Sequence, residues 1–242
     1  MAIVNRVESV APWREGWESA RALARPGLVL QATALALVLA YYFLPAAHAQ
    51  FERLAVWRTE GGFLFSALAS ALCGGVIPVL YLQSNAATRS ARPWVQLAFF
   101  SLYWAWKGAE VDLWYRTLGA LLGHSHTPPV VVAKVLLDQF GYNPLYATPV
   151  ATVLFAWKDA GFRWGPFTED YRRGRWYLRR VLPALLAVWC LWIPVVCCVF
   201  ALPAALQVPL FNVVLCFWSM LYASITHRQN LGSSRREPAG HR

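Results

Sequence analysis

Charge is scarce in this chain. Asp, Glu, Lys and Arg make up 14% of its 242 residues, against about a quarter in soluble domains. The hydrophobic share is 58%, mean hydropathy is +0.40, and apolar runs long enough to cross a bilayer recur along the chain. Together these exclude an ordinary soluble composition and point to a membrane protein. Acids are scarcer than bases, 12 against 22, for a net charge of +10. Most of the basic residues fall between the apolar runs, where a membrane protein places them, so the excess does not call for nucleic acid.

Other absences narrow the function. No apolar h-region precedes Pro26, and Glu8, Glu15 and Glu18 interrupt residues 1–27, which argues against a cleaved signal or an acid-poor transit peptide. Cys73, Cys190, Cys197, Cys198 and Cys216 all lie in apolar runs without CxxC or Cys/His spacing. Such thiols are expected to act as small hydrophobes rather than metal ligands. Nucleophile-elbow, P-loop and HExxH motifs are absent, so no enzyme, cofactor or metal site is expected. His124 and His126 alone do not make a zinc site and read as solvated turn residues. No internal repeat suggests an inverted-repeat transporter.

Six apolar runs are present, at 28–44, 62–82, 94–123, 130–157, 181–202 and 208–226. They predict an all-α, polytopic integral membrane bundle of about six transmembrane helices. Val10, Trp13, Trp17, Ala20 and Ala24 recur at three- and four-residue steps, which suits an amphipathic surface helix within residues 1–27. Residues 227–242 read as a flexible basic tail. In the second run Ser66, Ser70 and Gly74 share one line and Ala67, Ala71 and Gly75 the next, a small-residue seam that lets helices approach closely in lipid. Pro144 and Pro149 are expected to kink the fourth run.

With a cytoplasmic-like N-terminus, most Lys and Arg fall on one side of a six-span arrangement, as the positive-inside rule requires. Arg53 and Arg58 are then assigned to an outer loop. Trp57, Trp94, Trp157, Trp164 and Trp176 fall near run ends, as an interfacial aromatic belt requires. Residues 168–180 read as one helix, capped by Thr168 and ending in basic residues that match its dipole. Arg172, Arg173, Arg175, Arg179 and Arg180 make that segment a candidate for anionic lipid headgroups.

The stretch 104–118, WAWKGAEVDLWYRTL, is the chemical centre of the sequence. Charges at membrane depth cost roughly 2.5–3.5 kcal/mol each on insertion scales, so they are paired or functional. Lys107 with Glu110 and Asp112 with Arg116 are spaced to bridge within one helix, and so are Lys134 and Asp138 in the next run. These six charges sum to zero. Together with Gln139 they are either helix-orienting ion pairs or the lining of a polar path. The two pairs of the third run lie on nearly opposite sides of a helix, which predicts a central position for it. Asp112 and Arg116 are expected to turn to the fourth run, where Asp112–Lys134 and Arg116–Asp138 contacts are both feasible.

The order of residues from Gly108 onward resembles the Mpv-seventeen family, which includes the twenty-two-kilodalton peroxisomal membrane protein. Gly108, Trp114, Tyr115 and Leu118 resemble its G-P-x-x-H-x-W-Y-x-x-L. Lys134, Asp138, Gln139 and Pro144 resemble its lysine, Asp-Gln and proline run. Asp170 and Tyr171, then Trp189, Trp192 and Pro194, then Phe200, Leu202 and Pro203 resemble its D-Y, W-x-x-W-P and F-x-x-V-P stretches. Trp218 and Ser224 resemble its closing W-x-x-x-x-S. Ala109, Asp112, Val196 and Val199 stand where the family has Pro, His, Gln and Asn.

The resemblance covers about residues 108–226. It implies a four-span core in a peroxisomal or mitochondrial inner membrane and a channel for small solutes or metabolites. The alternative reading is a non-conducting scaffold that binds lipids or protein partners through its arginine-rich loops. Membrane lipids are the expected partners, with small solutes and a second copy of the chain as further ones.

Overall fold

The computed structural model describes residues 12–84, 89–172 and 174–234. The elements among them are all helical, with no strand. In order they are α1 (Pro12–Phe43), α2 (Pro45–Ser70), π1 (Ala71–Val76), α3 (Ile77–Ser84), α4 (Pro93–Leu122), α5 (Pro128–Leu136), π2 (Leu137–Ala147), α6 (Thr148–Asp159), α7 (Gly165–Arg172), π3 (Tyr177–Val181), α8 (Leu182–Phe200) and α9 (Ala204–Ser234). Two continuous helices are long and apolar enough to cross a membrane, Pro45–Ser84 and Tyr177–Phe200. Gly27–Phe43 and Ala204–Met220 are apolar but shorter.

Several boundaries differ from expectation. α1 runs through Pro26 as one helix of 32 residues, so no break separates a surface helix from the first apolar run. Residues 1–11 lie outside the described part. The segment expected to be an outer loop is the first half of α2, started by Pro45 in its first turn, where the missing N–H costs nothing. Its charges made it read as a loop, but Ala, Gln, Glu, Arg and Leu are good helix formers. The tail expected from residue 227 is helical to Ser234, and 235–242 lie outside the described residues.

Proline accounts for the π segments. A proline ring clashes with the carbonyl four residues back, and widening the turn relieves that clash. Each π segment closes on an i→i+5 bond made by the residue just before a proline. Ile77 donates to Leu72, Thr148 to Asn143 and Leu182 to Tyr177, with Pro78, Pro149 and Pro183 next in line. Pro194 and Pro209 sit inside α8 and α9 without such a segment. The kink expected at Pro144 and Pro149 is thus absorbed as a widened turn.

The chain divides into two compact units. One holds Val132–Pro194 with the N-terminal residues to Val29, the other Leu30–Val131 with the residues from Val195 on. In the second unit α2, π1, α4 and α9 pack against one another. Its fully buried side chains include Leu118 of α4 and Leu206, Leu210, Val214 and Leu215 of α9. In the first, π2 and π3 pack against α6, with Val181 and Leu185 buried.

Several helices bury small or polar residues beside their apolar ones and expose leucines on the opposite face. On α2 and π1 the buried residues include Arg58, Ser66, Ser70, Gly74 and Gly75, while Leu64, Leu68 and Leu72 are exposed. α4 buries Lys107, Gly108, Asp112 and Gly119 and exposes Leu102, Leu113 and Leu121. Along α5 and π2, Lys134, Asp138 and Gln139 are buried, and Val132, Leu136, Phe140 and Leu145 are exposed.

Candidate functional site

The small residues of the second apolar run decide how closely two helices meet. Gly74 lies under the Trp104 indole, where an added Cβ would come within 2.6 Å of the ring, and a Cβ added to Gly75 would come within 2.8 Å of the Ser101 backbone. Gly108 faces back from α4, and its own Cβ would fall on the Ser66 carbonyl oxygen and the Ser70 hydroxyl. The approach brings polar side chains of α2 against α4 in a site that is otherwise apolar.

Asp112 is the hub of that site. It is 0% exposed and accepts from Arg58 Nη2, from Ser66 Oγ at 2.7 Å, and from Arg116 Nε and Nη2 at 2.9 and 3.3 Å. Two guanidinium groups thus converge on one carboxylate. Arg58 reaches it because α2 bends at Gly62, whose φ of +51° and ψ of −134° are open to glycine alone. The Arg116 guanidinium also lies over the Phe63 ring at 4.6 Å from its centroid, in cation–π contact. Further along the seam Ser70 Oγ donates to Asn212 Oδ1 of α9 at 2.6 Å.

Lys107 and Glu110 pair at 2.6 Å with side chains 8% and 13% exposed, so neither charge of that pair faces outward. The lysine also lies 5.5 Å from the Trp106 ring centroid. The Asp112–Arg116 pair forms as its spacing suggests. The second cation of Asp112, however, was expected on the fourth apolar run, and it is Arg58 on α2. The assignment of Arg58 with Arg53 to an outer loop hides this role in the sequence. The one sequence signal for it was the Gly61–Gly62 pair, a ready hinge that ends four residues before the seam begins at Ser66.

The second polar group lies in the other unit. No ion pair joins Lys134 to Asp138, although four residues separate them. The helix passes into its π segment at Leu137, and the i→i+4 register on which that bridge depends ends there. Asp138 instead accepts from Gln139 Nε2 at 2.6 Å. Gln139 Oε1 takes Asn143 Nδ2 at 3.3 Å, and Asn143 Oδ1 takes Thr148 Oγ1 at 2.6 Å. In an α-helix Gln139 and Thr148 would lie on opposite faces. At about 4.4 residues per turn, the π segment brings them into line.

The same segment leaves two backbone carbonyls without donors. In the i→i+5 register Gln139 would pair with Pro144 and Pro144 with Pro149, and proline has no N–H. Trp189 Nε1 donates to the Gln139 carbonyl at 2.7 Å, and Tyr177 Oη to the Pro144 carbonyl at 2.9 Å. Trp189 also packs on Phe140, with ring centroids 5.1 Å apart. Replacing Trp189 with Phe keeps a ring there but orphans the carbonyl, and is expected to cost ~1–3 kcal/mol. Thermal unfolding in a fixed detergent checks this, and an unchanged midpoint would mean that the carbonyl finds another donor.

The arginine-rich segment is not one helix. α7 ends at Arg172, and Gly174 and Arg175 both turn left-handed, at φ 72° and 56°. Tyr177–Val181 then leads directly into α8. Thr168 lies inside α7, where its hydroxyl donates to the Trp164 carbonyl at 2.6 Å, so it does not cap. Arg179 and Arg180 stand at the start of the following helix rather than the end of their own, and the expected match to the helix dipole is lost. Arg172, Arg175, Arg179 and Arg180 are exposed, beside exposed Trp164, Tyr171 and Tyr177. Arg173 lies outside the described residues.

His124 and His126 are exposed in the turn after α4, and no group of three or more metal-type side chains gathers among the described residues. None of the five cysteines is in a disulfide. Comparison with protein-family models, curated proteins and solved structures finds no match to this chain.

Proposed function

We propose that this chain is a multi-pass integral membrane protein of about six spans whose intramembrane charges hold its helices together. Its role is that of a non-conducting scaffold with anionic lipids as partners. The helix faces that expose leucines opposite buried polar side chains carry the membrane reading. Exposed leucines opposite buried serine, glycine, lysine and aspartate are stable where the surrounding solvent is hydrocarbon, and would be unfavourable in water. The scaffold reading is supported by the closure of the α4 charges: Asp112 is enclosed by its four donors and Lys107 is spent on Glu110. The exposed arginines and aromatics before α8 suit anionic headgroups at the interface. The resemblance to the Mpv-seventeen family proposes a peroxisomal or mitochondrial inner membrane as the compartment.

A path for small solutes is the second reading, favoured by the aligned Asp138–Gln139–Asn143–Thr148 side chains along π2. Planar bilayers separate the two. The scaffold is expected to leave conductance at the level of protein-free lipid. Conductance that falls on Gln139→Leu or on Asp138→Asn with Arg116→Gln would replace it with the path.

A further inference from the structure

The six charges of the third and fourth apolar runs balance to zero, but the site around Asp112 does not. Arg58 joins it from α2, so two guanidinium groups share one carboxylate. The Lys107–Glu110 pair is neutral in itself, and Asn212 of α9 brings an uncharged amide to Ser70. One positive charge is left over beside the buried Arg58 and Asp112, which is unfavourable until an anion compensates it.

The donors also exceed the acceptors. Arg58 is 9% exposed, gives a single hydrogen bond through Nη2, and its buried Nε has no partner. Arg116 uses Nε and Nη2 on Asp112, while its side chain is 44% exposed. Gly62 and the Phe63 ring hold both guanidinium groups in place, so little ordering remains for a ligand to impose.

We propose that Arg58 and Arg116 form an anion site for a phosphate-type oxyanion, carried by a lipid headgroup or free in solution. The planar guanidinium fork matches the oxygens of phosphate. Asp112 sets the spacing of the two forks and cancels one of their charges, which favours a singly charged group such as a phosphodiester. The site goes beyond the scaffold reading and does not depend on whether the chain conducts.

The test uses the full chain and Arg116→Gln, chosen because Arg116 is exposed and its loss leaves the Arg58–Asp112 pair intact. Circular dichroism confirms that the variant is folded. One arm compares thermal unfolding in detergent with inorganic phosphate and with chloride at equal ionic strength. The other counts lipid phosphorus retained by protein purified from phosphatidylcholine with and without phosphatidylglycerol. Arg179→Gln with Arg180→Gln serves as the control for the other basic surface.

A phosphate-specific stabilisation that weakens about tenfold or more in Arg116→Gln supports a free oxyanion. Retention of phosphatidylglycerol that falls in Arg116→Gln but persists in the control supports a lipid headgroup. Absence of both effects, or equal effects in wild type and Arg116→Gln, overturns the site.

Discussion

Asp112→Ala is expected to cost about 3–5 kcal/mol of stability, because it leaves the buried Arg58 guanidinium without its counter-charge. The same change removes the only side-chain acceptor that Ser66 Oγ has on α4, so a second buried group loses its α4 partner as well. Thermal or denaturant unfolding in one detergent gives the magnitude. Adding Arg58→Met to Asp112→Ala removes the stranded charge and is expected to recover much of the loss, since replacing a buried ion pair by apolar side chains is often close to neutral. A single variant that loses less than about 1 kcal/mol would show that water or a bound phosphate reaches Arg58, well below the cost of an isolated buried charge. Repeating the measurement with inorganic phosphate tells those two apart.

Gly108→Ala is the second large effect. The added methyl would meet the Ser66 carbonyl oxygen and the Ser70 hydroxyl, and the first of these belongs to helical backbone that cannot swing aside. Overpacking of this kind costs typically 1–3 kcal/mol, and more where the neighbour is rigid. Parting α2 from α4 would also stretch the Ser66–Asp112 bond of 2.7 Å, so the packing and the charge hub are expected to fail together. Gly141→Ala is the matched control, with nothing within 4 Å of its added Cβ. It is expected to be neutral or to stabilise by a few tenths of a kcal/mol through the unfolded chain. Equal unfolding midpoints for the two variants would show that α2 and α4 are not in close contact.

The seam formed by Ser66, Ser70, Gly74 and Gly75 was legible because small residues at four-residue steps have one use in a helix that meets another helix. The pairs Lys107–Glu110 and Asp112–Arg116 were legible for a related reason. Their spacing is set by the helix itself and needs no knowledge of neighbours. Lys134–Asp138 has the same spacing and failed, because a local change of helix register intervened. That change is written in Pro144 and Pro149, but the rule that proline kinks a helix does not say whether the chain bends or widens.

Arg58 marks the limit most sharply. In sequence it is one charge among several in a segment of mixed polarity. Its role follows from a left-handed glycine four residues later and a carboxylate 54 residues away. The arginine-rich segment failed in the opposite direction. Its capping and dipole signals fit one helix, but Gly174 and Arg175 turn left-handed and divide it.

Composition, the spacing of apolar runs and the four-residue periodicities thus determined by themselves that the chain is helical, apolar on its outer faces and charged at a few buried points. These properties depend on local chain geometry and on transfer between water and an apolar medium, and both act residue by residue. Tertiary structure alone decided which charges meet. An ion pair between helices depends on where two helices bend and how closely they pack, and here a glycine kink and a glycine contact set both.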